Sequence, residues 1–263
     1  MKIAVVTGAA GSIGAAVCAR LAAREYHVVA VDVDTAGLDR LGGPVTRLPL
    51  DLTQLGFHDA VVTTVDQLGG RCDVLVNNAG IVVTTPFQQV TAAEAHREQL
   101  INLHAPMHLS RALYPHLQVA GGHILTVVSL AAMMPLRESA GYCASKAGLR
   151  AFMLALALHA RHTGVHISMI HPGAVDTPML RHEAATGGSA LNFLSEPLDP
   201  HVVAETVTSL LKHPRLETSL PRYDGWLLKL VALAPGVLPR ALPLLERAAQ
   251  TRLEKYRQRS GIR

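Results

Sequence analysis

Cysteine is scarce in this 263-residue chain. Cys18, Cys72 and Cys143 are odd in number, widely separated, and form neither a C-x-x-C pair nor a Cys/His cluster. That excludes a disulfide framework and leads us to expect free thiols in a reducing compartment. Metal-ligand spacing is missing as well: the 14 histidines are scattered without H-E-x-x-H or a comparable arrangement, so no metal site is expected. Nothing reads as a signal peptide. The opening MKIAVVTGAAGSIG runs from a short apolar stretch straight into glycines with no small-residue cleavage site, and a cytoplasmic location is expected. Nucleic-acid binding is not expected either. The net charge of +4 is concentrated in residues 212–263, which hold 11 Lys and Arg against 4 Asp and Glu, and Tyr223, Trp226 and Tyr256 are the aromatics there.

What the chain has in quantity is apolar material, 49% of its residues, enough for one sizeable core and against disorder. Apolar runs of strand length (IAVVTG, HVVAVDVD, TRLPLDL, CDVLVNNAG, GGHILTVVS, HISMIHPG) alternate with longer helical patterns. Runs such as VVAVDV and ILTVVS lack polar alternation, as strands do when helices cover both faces of a parallel sheet. The expectation is a single α/β domain over 1–263, a doubly wound Rossmann-type parallel sheet in three α/β/α layers. Residues 178–200, with Gly187-Gly188 and three prolines, interrupt the pattern and are expected to form a long mobile loop that acts as a substrate lid.

The first strand ends in Thr7-Gly8-Ala9-Ala10-Gly11-Ser12-Ile13-Gly14, and a helical stretch follows at once. Glycines let backbone come close to a pyrophosphate, whose charge the free N–H groups and positive end of the helix favour. Asp32 closes the next strand, near the spacing at which a carboxylate accepts hydrogen bonds from the adenosine ribose hydroxyls. It would repel a 2′-phosphate, and no Lys or Arg stands in the turn or just after Asp32 to neutralise one, so NAD is expected over NADP.

Tyr142 and Lys146 are four apart in the helical stretch YCASKAGLRAFMLALALHA and therefore share a face. An ammonium beside the phenol would bring its pKa down towards neutrality, where it can exchange a proton with a substrate oxygen. Ser129, 13 residues earlier at a strand end, makes the pair informative. Cys143 adjoins Tyr142 but points about 100° away on the helix, so it is read as packing.

The ordered set of residues 7–14 (TGAAGSIG), Asp32, Asp51-Leu52, 77–80 (NNAG), Asn102, Ser129, Tyr142-x-x-x-Lys146 and Pro172-Gly173 with Thr177 resembles the one-domain type of the short-chain dehydrogenase/reductase family. The resemblance runs from about residue 3 to about residue 178. It departs at Ser12, where the family has its middle glycine, with Gly11 just before. It implies an NAD-dependent oxidoreductase interconverting a secondary alcohol and a ketone. Tyr142 would be the general acid/base, Ser129 the partner of the reacting oxygen, Lys146 the holder of the nicotinamide ribose, and Asn102 the anchor of a relay water. The dinucleotide would lie on Gly8, Gly11, Ser12, Ile13, Gly14 and Asp32, with Asp51 and Leu52 at the adenine. Asn78, Ala79 and Gly80 would line the adenosine side, and Pro172, Gly173, Val175 and Thr177 the nicotinamide end. A homodimer or homotetramer through the helices carrying Asn102 and Tyr142 is implied too. The alternative is a catalytically silent dinucleotide-binding regulatory or scaffold protein, against which the full Ser129, Tyr142, Lys146 and Asn102 set argues.

Around the reacting centre, residues 130–136 (LAAMMPL) and Met179, Leu180, Leu191, Phe193 and Leu194 supply an apolar wall or lid packing, and point to a hydrophobic alcohol or ketone. Arg181 is a candidate for a substrate carboxylate or simply a solvated arginine. Residues 224–263 lack the family's glycine-rich ending. Their apolar stretch from Trp226 to Leu245 is broken by Lys229, Pro235, Pro239, Arg240 and Pro243, which makes a poor membrane span. With the basic residues that follow, it reads as a helical segment for peripheral membrane contact, for covering the substrate pocket, or for packing on its own or a partner subunit.

Overall fold

The computed structural model describes residues 1–231, 236 and 238–262. In chain order the elements are β1 (Lys2–Thr7), α1 (Ser12–Ala22), β2 (Tyr26–Asp32), α2 (Thr35–Asp39), β3 (Val45–Pro49), α3 (Phe57–Gln67), β4 (Val74–Asn77), α4 (Ala92–Gln99), α5 (Ala105–Ala120) and β5 (His123–Val127). They continue with α6 (Ala140–Ala160), β6 (His166–Pro172), α7 (Pro178–Thr186), α8 (Pro200–Lys212), β7 (Glu217–Leu220), α9 (Arg222–Val231) and α10 (Leu238–Arg259). The strands form one sheet in the order β3-β2-β1-β4-β5-β6-β7, every pair parallel.

Three layers follow from strand geometry, since successive side chains point to opposite faces. Ile3 and Val5 enter one core with Val29, Val31, Leu75 and Ile124, under Val61 and Val65 of α3, Leu109, Leu113 and Leu117 of α5, and Leu149 and Met153 of α6. Ala4 and Val6 enter the other with Val28, Ala30, Val74 and Val76, under Val17 and Leu21 of α1 and Val203, Val207 and Leu210 of α8. Both faces are covered, which is why the runs read as uninterrupted apolar sequence. The strand order reverses between β1 and β4, and all strands point the same way, so a crevice opens where their C-terminal ends diverge.

Two stretches differ from expectation. Glu217–Leu220 is a seventh strand, on the sheet edge beside β6, where half-buried ETSL carries no apolar run that would announce it. Residues 178–200 are not a bare loop. Thr177 caps α7, accepting from the Leu180 amide at 3.3 Å, with Pro178 in the first turn. Gly187 closes the helix at φ 97°, a left-handed position that suits glycine. A short 3₁₀ turn then covers Ala190–Phe193, and Val175 bridges Leu198. Pro178, Gly187 and Pro200, expected to break structure, stand at helix ends.

In the C-terminal segment, α10 buries Ala249 and Leu253, the latter packing with Leu180, Ala184 and Phe193. The Tyr256 hydroxyl donates to Asp176 at 2.8 Å and Arg257 to the Ala184 carbonyl at 2.7 Å. The side chain of Trp226 and residues 232–235 and 237, part of the expected apolar stretch, lie outside the described residues. No described helix is long and apolar enough to cross a membrane.

Candidate active site

The crevice is built from strand ends. After β1, the chain turns through Gly8 to Gly11 into α1, whose first amides have no intrahelical acceptor and whose first turn carries no acidic side chain. A Cβ at Gly14 would stand 2.0 Å from the Gly8 carbonyl oxygen and 2.8 Å from Ala9 Cα, so only glycine lets α1 start this close to β1. Asn78 stitches the next strand end to this turn, donating from Nδ2 to the carbonyls of Thr7 (3.0 Å) and Gly8 (3.1 Å), while the Asn78 and Ala79 amides donate to Thr7 Oγ1. This cradle fits a pyrophosphate held on backbone N–H groups.

Asp32, at the end of β2, accepts from the Ala10 amide on Oδ2 (2.9 Å) and from the Asp34 amide on Oδ1 (3.1 Å). Its carboxylate thus ties the Gly turn to β2 and keeps lone pairs for a further donor. Asp51 accepts from the amide and hydroxyl of Thr53, which hold its carboxyl below the usual range. Leu52 spends its side chain on the core beside Phe57 and Val61, which leaves only its backbone free for the expected contact with an adenine.

On the other side of the crevice, Ser129 follows β5, and Tyr142 and Lys146 stand one turn apart on α6. The Lys146 ammonium lies 5.6 Å from the Tyr142 ring centroid, donates to the Val127 carbonyl at 3.4 Å and is 3% exposed. Burial brings its pKa down to about 8, opposed by the charge of Glu98. The Tyr142 phenol moves up, contrary to the expectation from Lys146 alone. Burial withholds the water that would solvate the phenolate and Glu183 adds a nearby negative charge, while the Ser129 hydroxyl, hydrogen-bonded to Tyr142, pulls the other way.

Asn102 lies in a π-helical turn, Leu100–His104, between α4 and α5, and is fully buried. Its Oδ1 accepts from the Ile81 amide (2.9 Å), and its Nδ2 donates to the Ile81 carbonyl (2.9 Å) and to Ser145 Oγ (3.2 Å). The side chain therefore braces the loop after β4 against α6, bonds that compete with the expected relay water.

One cavity of about 490 Å³ joins both sides. Ile13, Asn78, Gly80, Ser129, Tyr142, Lys146, Pro172, Gly173, Val175 and Thr177 all line it, and Gly8, Gly11, Ser12, Gly14, Asp32, Asp51, Leu52, Ala79 and Asn102 do not. Leu130, Ala131, Met134, Leu136, Met179, Leu180, Leu191 and Leu194 make its apolar wall, and Leu228 of α9 and Leu245 of α10 close it. Phe193 instead packs between Leu180 and Leu253. Arg181 is solvated and paired with Asp176 at 3.1 Å, away from the cavity.

Three polar residues escaped the sequence reading. Glu98 is 2% exposed and accepts from the Val83 amide at 2.9 Å; its four-residue spacing from Asn102 was the available signal. His171, on β6, places Nδ1 3.2 Å from the Ser129 carbonyl and Nε2 3.1 Å from Glu217, which Arg150 also holds at 2.6 Å. Glu183, on α7, lines the cavity and accepts from Asn192 Nδ2 at 2.9 Å, a contact no local pattern announces.

Burial raises Glu183 from 4.5 to about 7. The folded chain then keeps a proton that the unfolded chain has released, so this group's contribution to stability is intact below pH 4.5 and lost as pH rises through 7. Glu183→Gln should match the wild type near pH 4 and exceed it at pH 8 by up to about 3 kcal/mol. Urea midpoints across pH test this, and equal midpoints at pH 8 would contradict it.

A sequence profile described as short chain dehydrogenase matches residues 2–187. The chain belongs to the short-chain dehydrogenase family. It is 35% identical over 222 residues to the 1-deoxy-11-beta-hydroxypentalenate dehydrogenase of Streptomyces exfoliatus, covering 80% of this chain and 78% of that one. A metagenomic short-chain oxidoreductase in complex with NADP superposes with a TM-score of 0.70 at 31% identity, covering 83% of this chain and 94% of that one. The 3-ketoacyl-(acyl-carrier-protein) reductase of Brucella melitensis complexed with NADH gives 0.73 at 27% identity, over 84% and 98%. As a short-chain dehydrogenase, this chain is an oxidoreductase of alcohol and ketone groups in small molecules that binds a nicotinamide dinucleotide.

Proposed function

We propose that this short-chain dehydrogenase interconverts a hydrophobic secondary alcohol and its ketone with NAD(H), Tyr142 exchanging the proton. The observation that carries the reading is the meeting of Ser129, Tyr142 and Lys146 with the dinucleotide-side residues Ile13, Asn78, Gly80 and Thr177 in one apolar-walled cavity. A bound nicotinamide supplies or accepts the hydride. The chain's own residues orient and move the proton. Ser129 holds the reacting oxygen beside Tyr142, which gives its proton to that oxygen in reduction and takes one from it in oxidation. Lys146 keeps a positive charge below the phenol, and Asn102 and Glu98 position the loop after β4. Val175 and Thr177 would hold the nicotinamide end. α10 acts as a cover for the pocket, a role supported by Leu245 on the cavity and Leu253 packed against Leu180 and Phe193. Assembly as a homodimer or homotetramer would use α5 and α6.

The Asp32 carboxylate supports NAD over NADP, because it accepts from ribose hydroxyls and repels a 2′-phosphate. A panel of secondary alcohols and ketones with both dinucleotides, read at the reduced-nicotinamide absorbance, is the test. Wild type should favour NAD(H) by at least about tenfold in kcat/KM, and Asp32→Ala should narrow the gap. NADP(H) preference would overturn the role of Asp32. Tight dinucleotide binding without turnover of any member would favour a silent regulatory protein.

A further inference from the structure

The cavity carries a few polar groups with no part in the proton transfer, and one of them, Glu183, stands among Leu180, Leu191 and Leu194. Glu183 sits in the last turn of α7, which is fixed at that end. The amides of Gly187 and Gly188 both donate to the Glu183 carbonyl, and Arg257 of α10 donates to the carbonyl of Ala184. A Cβ at Gly188 would lie 2.6 Å from Glu183 Cβ, so chain and side chain are closely apposed there. Asn192 holds Oε2 at 2.9 Å and is the one hydrogen-bond partner of this carboxyl among the described residues. Oε1 has no hydrogen-bond partner among the described residues, and Glu183 lines the cavity.

We propose that Glu183 determines substrate specificity, and that the substrate is an uncharged, largely apolar alcohol or ketone carrying a second hydroxyl that hydrogen-bonds to this carboxyl. The inference rests on the alcohol–ketone reading above. A carboxyl placed among Leu180, Leu191 and Leu194 loses hydration, and a ligand donor or acceptor restores what burial removes. A hydroxyl serves both protonation states of a group poised near neutrality, accepting from the acid or donating to the carboxylate. A ketone or ether oxygen serves only the acid, and an ammonium only the carboxylate. The other charged groups lining the cavity exclude an anionic substrate. Lys146 is committed beneath Tyr142, while Glu196 and Asp224 add two more carboxyls, the first 3.5 Å from exposed Arg259 and the second accepting from Ser195 at 3.1 Å.

The test compares a medium-chain secondary alcohol with a positional series of the same alcohol bearing one further hydroxyl, and with the methyl ether and amine of the best member. Wild type should prefer the best hydroxylated member over the parent by roughly tenfold to a hundredfold in kcat/KM, and the methyl ether should lose that advantage. Glu183→Leu should reduce the preference below about threefold, while Glu183→Gln, which still donates and accepts, should keep most of it. Removing the Glu183 charge should also move the alkaline rise of alcohol oxidation to lower pH, since that charge raises the Tyr142 phenol. A wild type indifferent to the second hydroxyl, favouring the amine, or equally fast on the ether overturns the proposal even if Glu183→Leu does not fold. So does a preference that survives in folded Glu183→Leu. In each of those cases the alcohol–ketone reading stands, whereas absence of turnover by wild type with every member and both dinucleotides overturns the two together.

Discussion

Tyr142→Phe should lower ketone reduction about 10²- to 10⁴-fold in kcat with little change in dinucleotide affinity. The ring still fills its place in the wall, and what is removed is the hydroxyl proposed to exchange the proton with the reacting oxygen. The pH behaviour follows from the direction in which Tyr142 is shifted. Burial and Glu183 keep the phenol protonated well past neutrality, so the acid needed for reduction is present through the neutral range and wild-type reduction should be flat there. Oxidation needs the phenolate and should climb as pH rises. In Tyr142→Phe both arms fall, and the alkaline climb should disappear. Stopped-flow or steady-state rates in both directions, with dinucleotide binding titrated separately, are the measurement. A Phe variant within tenfold of wild type would remove Tyr142 from the proton transfer.

Gly14→Ala should weaken dinucleotide binding by about 10²-fold, because the added methyl meets backbone that cannot swing aside. The Gly8 carbonyl at 2.0 Å and Ala9 Cα at 2.8 Å must retreat, and α1 with its N-terminal amides shifts with them. Overpacking of this kind costs about 1–3 kcal/mol in stability, a fall in Tm of a few degrees at roughly 2–4 °C per kcal/mol for a chain of this size. Gly11→Ala is the comparison. Its Cβ would stand 3.4 Å from the same carbonyl, an ordinary contact, and the loss should be much smaller. Isothermal titration with NADH and thermal melts of both variants separate the effects. Equal affinities for Gly14→Ala and wild type would show that the turn tolerates a side chain and that the cradle is not closely fitted.

Much of this fold is legible in the sequence. Five of the six runs became β1, β2, β4, β5 and β6, strands covered on both faces and therefore mostly apolar, whereas TRLPLDL became β3, a half-buried strand at the sheet edge. The strand-end motifs were legible for a related reason: in a parallel sheet the C-terminal ends lie along one edge, so residues remote in sequence meet there. β7 was hidden because an edge strand of half-buried polar residues follows no apolar pattern. α7 was hidden because Pro178 and Gly187 cap a helix with the same residues that break one.

By itself, the sequence determined the doubly wound sheet, the Gly turn at the helix start and the one-turn spacing of Tyr142 and Lys146, all of which depend on local periodicity or on residue type at a fixed spacing. Only the tertiary structure decided the charge state and polarity of the pocket. Tyr142 is raised rather than lowered, Asn102 is committed to Ile81 and Ser145, and Glu183 stands among Leu180, Leu191 and Leu194 in the pocket wall. These are consequences of burial and of contacts between distant segments: desolvation depends on every atom that displaces water, and no spacing along the chain encodes that sum.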